Sequence, residues 1–192
     1  MPMGLLPFVN RDNNYMLVLG MTGVKMGDRL LQIGCEDGGR LGAIAAKVGL
    51  SGQAVALVPD EAAATRARQG AARAGVLVEV DTAPPTALSV DAGAFGVAIV
   101  DDTAGLVGTL RAEDRAAAIQ EVLRVLKPGG RVVLVGSGPR TGLGALLGRS
   151  PRPHADANPD VMLQALTAAG FRSVRTLAER DGLVFIEGLK PR

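Results

Sequence analysis

Two short clusters carry the residue types that could do chemistry. The first is Gly34-Cys35-Glu36-Asp37-Gly38-Gly39, which closes the apolar run at 29–34. Glycine has no Cβ, so such a turn lets backbone N–H groups approach a ligand closely. A helix starting behind it favours an anionic group at its N-terminus. The second is Asp101-Asp102-Thr103, directly after the apolar run at 95–100. A carboxylate there can orient a substrate or accept its proton, although Asp and Thr also serve as plain turn formers. Glu36 and Asp37 have a second reading too, as caps of the following helix. The glycines are not spaced as G-x-G-x-x-G, which argues against a nicotinamide dinucleotide site.

The elements that must hold these clusters alternate in type. Strand-like runs at 29–34, 53–58, 76–80, 95–100 and 131–135 are separated by helical stretches at 38–48, 60–74 and 112–126, the signature of a parallel α/β sheet. In the last of these helices Ala116, Ile119, Val122, Leu123 and Leu126 recur at helical spacing and predict one buried face, before Pro128 and Gly129 stop the helix. The C-terminal third predicts a helix at 159–169 and strands at 171–178 and 183–188, with Asp181-Gly182 as a strong hairpin turn. Residues 10–23 predict a further helix beside the sheet. The expected organisation is thus an N-terminal extension over 1–26 and an α/β domain over 27–192. Residues 137–157, rich in Gly, Pro and Arg, predict a long loop. In an open α/β sheet a ligand sits beyond the carboxyl ends of the strands, at the switch point beside the first strand, and both clusters fall there.

Composition narrows the partners. A chain of 192 residues with 47% hydrophobic and 21% charged residues suits one soluble globular domain, and 3% aromatics without Trp demands an aliphatic core. A net charge of +2 gives no ground for a nucleic-acid partner. No run of apolar residues is long enough to span a bilayer and no basic segment leads an apolar one, so a cytoplasmic protein without a membrane partner is expected. The single cysteine, Cys35, excludes an internal disulfide, fits a reducing compartment, and reads as a packing residue before a catalytic one. One Cys and one His, His154, make no recognisable zinc site, and no metal is expected. His154, Arg140, Arg149 and Arg152 read as surface residues of the 137–157 loop, with a general base and an anion contact as their sharper alternatives.

Residues 122–134, VLRVLKPGGRVVL, give a helix end, a Lys-Pro-Gly-Gly turn and a strand. Together with LLQIGCEDGG at 30–39, this pattern resembles the class I S-adenosylmethionine (SAM) dependent methyltransferases, over about residues 27–189. The resemblance implies an α/β fold with a seven-stranded, mostly parallel, doubly wound sheet in the order 3-2-1-4-5-7-6, ending in an antiparallel hairpin. It implies SAM as cofactor and a small molecule as methyl acceptor. Gln32, Gly34 and Gly38 would hold the amino-acid end of the cofactor, with Cys35 and Glu36 in the same turn. Val58 and Asp60 would line the nucleoside, and Asp101 or Asp102 would face the substrate as the catalytic group. The chain departs from the family pattern in placing Gln32 and Val58 at positions usually acidic, Glu36 at a position usually Gly, and Pro84 where an Asp commonly reads the adenine. Phe95-Gly96 stands for the usual Phe-Asp. The alternative reading is a non-catalytic methyltransferase-like domain that binds another ligand or a protein partner.

Overall fold

The structure, a computed structural model, describes residues 9–138 and 158–192. In chain order the elements are α1 (Val9–Thr22), β1 (Arg29–Ile33), α2 (Gly38–Val48), β2 (Gln53–Val58), α3 (Glu61–Ala74), β3 (Glu79–Thr82), β4 (Phe95–Asp102), α4 (Ala112–Val125), β5 (Leu126–Ser137), α5 (Pro159–Ala169), β6 (Arg172–Arg180) and β7 (Leu183–Leu189). The seven strands form one sheet in the order β3-β2-β1-β4-β5-β7-β6. Neighbours from β3 to β5 are parallel, and β7 runs antiparallel to both β5 and β6. This is the architecture expected from the sequence. The turn between β6 and β7 has positive φ at both central residues, Asp181 (+55°) and Gly182 (+76°), the twist that suits a two-residue hairpin.

Because side chains alternate across a strand, each central strand feeds two cores. Leu31, Ile33, Ala98 and Val100 face the α4–α5 side, where Ile119, Val122 and Leu166 meet them. Leu30 and Ile99 face the other side, with Val18 of α1 and Ile44 of α2. One charged group sits in that second layer. Glu187 of β7, its side chain 6% exposed, accepts from Arg131 (3.0 Å) and pairs with Arg175 (3.0 Å). The Arg131 guanidinium lies over Gly23, where any Cβ would strike it, so the end of α1 is seated on a cation that complements the helix dipole.

Two strand starts and one helix face differ from the sequence expectation. β3 begins at Glu79 rather than Val76, because Gly75 closes α3 in the left-handed conformation and the Val76 N–H still bonds to Ala71 O. Val76 and Val78 pack against the α2 side instead of pairing in the sheet. β5 begins at Leu126: Leu126 pairs with Phe95, and the pairing then jumps to Val97 with Arg131. The Lys-Pro-Gly-Gly segment is therefore a bulge within β5, with Gly129 at φ +75°. The buried face of α4 is Ala118, Ile119, Val122 and Val125, and Ala116 is exposed.

The irregular stretch between β3 and β4 is tied to α4 by a charged clamp. Arg124 donates to Glu121 (2.7 and 2.9 Å), to Val90 O (2.9 Å) and to Leu88 O (3.0 Å), and Glu121 accepts from Leu88 N–H (2.8 Å). The hydrogen bond from Arg124 holds the Glu121 carboxyl below its ordinary value of 4.5. A carboxyl depressed in the folded state contributes stability above its unfolded pKa and loses it as pH falls through the folded value. Acid unfolding should therefore include this group. Glu121→Gln is expected to lower Tm at pH 7 and to shrink the gap to wild type as pH drops below about 4.5, in thermal melts across pH.

Candidate functional site

The site is built at the carboxyl ends of β1 and β4. Gly34 leaves β1 at φ +82°, with its N–H donating to Leu57 O (2.8 Å). An added Cβ there would lie 2.7 Å from Leu106 Cδ2 and 2.9 Å from Asp101 O, so glycine is required by packing as well as by conformation. Gln32 shares the Leu30 face of β1 by alternation and is fully buried. Its Nε2 donates to Gly34 O (3.1 Å), while its Oε1 is one of two buried side-chain polar atoms without a partner among the described residues. Leaving such an acceptor unpaired costs about 1–3 kcal/mol.

Beyond the turn, Asp37 is the N-cap of α2. Its carboxylate accepts from Gly39 N–H (2.9 Å) and from the Tyr15 hydroxyl of α1 (3.1 Å). Glu36 turns its side chain to solvent, and its N–H donates to Asp101 Oδ2 (3.3 Å). Asp101 also accepts from Thr103 Oγ1 (2.6 Å), Thr103 N–H (3.3 Å) and Arg40 of α2 (3.2 Å). Asp101 is buried, and the Arg40 side chain is 11% exposed. The glycine turn, the first turn of α2 and the end of β4 are thereby joined by one carboxylate.

Several expected site residues have structural roles. Both carboxylates of the Asp101-Asp102 pair are buried and bonded internally, so neither presents an open base to a substrate. Asp102 accepts from Val107 N–H (2.6 Å) and Gly108 N–H (3.0 Å), and so folds the loop after β4. Gly38 is needed for helix packing: a Cβ on it would strike Arg66 O of α3, and one on Gly70 would strike Gly38 O. Val58, fully buried, packs in the aliphatic cluster of Cys35, Leu41, Ala63 and Ala67. Asp60 is the exposed N-cap of α3, accepting from Ala63 N–H (2.8 Å). Pro84 is exposed just beyond β3. His154, Arg140, Arg149 and Arg152 lie outside the described residues. No group of His, Cys, Asp and Glu among the described residues could hold a metal ion, and no described helix is long and apolar enough to cross a membrane.

Cys35 packs in the same cluster. Burial first, and the nearby Asp101 charge second, push its thiol up to about 12. The folded protein should therefore leave a disulfide-exchange reagent unreacted at pH 8 and release one thiol equivalent once unfolded in urea, read by absorbance.

Sequence reasoning did not single out Arg40, and read Thr103 only as a turn former beside the two carboxylates. The only signal is a basic residue one turn into a helix that opens on Gly-Gly, which ordinary surface helices share. Beside the turn lies a polar cleft of about 450 Å³, lined by Tyr15, Glu36, Asp37, Arg40, Arg66 and Arg73. Arg66 donates to Cys35 O (3.3 Å), and so fixes the turn from the α3 side.

A sequence profile described as "Methyltransferase domain" matches residues 30–130, from the first strand through the Lys-Pro-Gly-Gly bulge. The chain belongs to the class I methyltransferase family. Solved structures carry the same fold. A SAM-dependent methyltransferase from Aquifex aeolicus superposes with a TM-score of 0.75 at 18% identity, covering 92% of this chain and 89% of that one. A putative methyltransferase from Bacillus halodurans gives 0.70 at 16% identity, covering 94% of this chain and 100% of that one. The cyclase SpnF gives 0.70 at 20% identity, covering 94% and 80%. No curated protein sequence matches this chain.

Proposed function

We propose that this methyltransferase domain binds SAM at the Gly34 turn and transfers its methyl group to a small-molecule nucleophile. The observation that carries the reading is the joint between β1 and β4. There Gln32 Oε1 is buried without a partner, and Asp101 gathers Glu36 N–H, Thr103 and Arg40 at the switch point of the sheet.

The residues fit the amino-acid end of the cofactor better than its ribose. At the amino-acid end, Gln32 offers an unsatisfied acceptor beneath the turn, and the exposed Glu36 borders the polar cleft beside it. At the ribose, Val58 supplies no carboxylate, and Asp60 is already engaged as a cap. A hydrogen bond to a charged group contributes about 1.5–3 kcal/mol, so the missing acid weakens affinity about 10- to 100-fold.

When bound, SAM supplies an electrophilic methyl group. The chain's own part is positioning and exclusion of water. Gln32 and Gly34 hold the turn, and Asp101 fixes it to β4 as a positioning residue. Arg40 orients that carboxylate through their ion pair. The acceptor's proton leaves to solvent or to a group of the substrate, since both β4 carboxylates are committed. The free, buried Cys35 supports a reducing, cytoplasmic setting.

Thermal shift tests the reading. SAM or S-adenosylhomocysteine at 100 times Kd should add about 2.7 kcal/mol, or roughly 5–10 °C in Tm for a chain of this length. Adenosine alone should shift it far less, and equal shifts for both would point to a nucleoside site instead.

A further inference from the structure

The opposite edge of the sheet, where the strands begin, carries a feature the site does not use. Of the five large apolar side chains exposed among the described residues, three gather there: Met26 (79% exposed), Leu50 (97%) and Leu77 (87%). They sit on adjoining loops, since Gly27 N–H donates to Val48 O (2.9 Å) and Gln53 N–H to Asp28 O (3.0 Å). Met26 lies against Gly49, and Leu50 and Leu77 flank an apolar groove of about 680 Å³ floored by Val48, Ala54, Val76 and Val78. Soluble proteins seldom gather such side chains without a surface to cover them.

The charges on this edge indicate which surface. Exposed Lys25, Arg29, Lys47 and Lys127 stand on the same edge, and none makes a side-chain ion pair among the described residues. Lys127 reaches across the start of β4 over Gly96, near Arg29 O. The acids on this edge are Asp28, which accepts from Lys25 N–H (2.8 Å), Glu79, which accepts from the Gln53 amide (3.0 Å), and exposed Asp91, so the four cations outnumber the carboxylates by one. Protruding leucines and methionine beside unpaired cations match an interface whose surface is anionic and whose interior is apolar. A small ligand in the groove would leave the protruding side chains in water. A second copy would bring the same cations towards one another.

We infer that the edge formed by Met26, Leu50 and Leu77 with Lys25, Arg29, Lys47 and Lys127 docks on an anionic lipid surface. The apolar side chains enter the headgroup boundary and the cations meet the headgroups. The glycine turn, at the other end of the strands, stays open to solvent.

The test is co-sedimentation of the full chain with vesicles of phosphatidylcholine alone and with 30% phosphatidylglycerol. Leu50→Asp/Leu77→Asp serves as the variant, its Tm measured to confirm folding. Binding to the anionic vesicles is expected, weakened several-fold between low and high salt and lost by roughly 100-fold or more in the variant. Equal binding by the variant, or no binding to anionic vesicles at millimolar lipid, overturns the inference. So does a dimer in light scattering that the variant dissolves while vesicles are ignored, since the face would then be an interface between copies.

Discussion

Gly70→Ala is expected to cost about 3 kcal/mol or more, and to lower Tm by roughly 6–12 °C in calorimetry, although it adds one methyl group. The Cβ would meet the backbone at Gly38, and backbone cannot rotate away as a side chain can. Gly42 reinforces the contact, since its own Cβ would lie 2.7 Å from Gly70 O. The close approach of α2 and α3 sets where the first turn of α2 stands, and hence where the Gly34 turn is held. Gly20→Ala is the control: nothing lies within 4 Å of its Cβ in α1, so the change should be neutral or stabilise by about 0.5–1 kcal/mol. A small effect at Gly70 would mean that the two helices can slide apart, and that the turn is less fixed than the geometry shows.

Asp101→Ala should be comparably severe. It leaves the Arg40 guanidinium nearly buried without its partner and strips acceptors from Thr103 and Glu36 N–H. Breaking a buried pair from one side costs about 3–5 kcal/mol, whereas replacing both members by apolar residues is often close to neutral. Urea unfolding of Asp101→Ala, Arg40→Met and Asp101→Leu/Arg40→Met should therefore show the double variant more stable than Asp101→Ala alone. If the pair serves only the fold, that double variant should keep the SAM response. The proposed positioning role predicts that stability returns while the response does not.

These two cases show what the sequence could and could not reveal. Alternation of apolar runs and Ala-rich stretches was sufficient for the parallel α/β class and for most element bounds, because burial periodicity is a local property, whereas the strand order came from the family resemblance of the Gly34 turn and the Lys-Pro-Gly-Gly segment. Asp181-Gly182 was legible for the same reason: its backbone demand is met by two adjacent residues. The packing demand at Gly38 was not legible, because a glycine near a turn looks alike whether a ligand or another helix approaches it. Only the partner position, Gly70, thirty-odd residues on, tells them apart. Asp101 and Asp102 carried the right residue types, yet their hydrogen bonds run to Arg40, Thr103, Val107 and Gly108, which no spacing rule connects in advance. The start of β3 was missed because the cap of α3 claims Val76, a tertiary outcome that outweighs the β-propensity of Val76 and Val78.

The central claim is that the Gly34 turn holds SAM without a ribose carboxylate, and isothermal titration of the wild-type chain with SAM tests it most directly. The geometry predicts saturable binding at about one ligand per chain, with Kd in the range of roughly 10 μM to 1 mM once the missing acid at Val58 is allowed for. Absence of heat up to several millimolar SAM, with the protein folded by thermal melt, would contradict it. The fold would then be a methyltransferase framework serving another ligand or a protein partner.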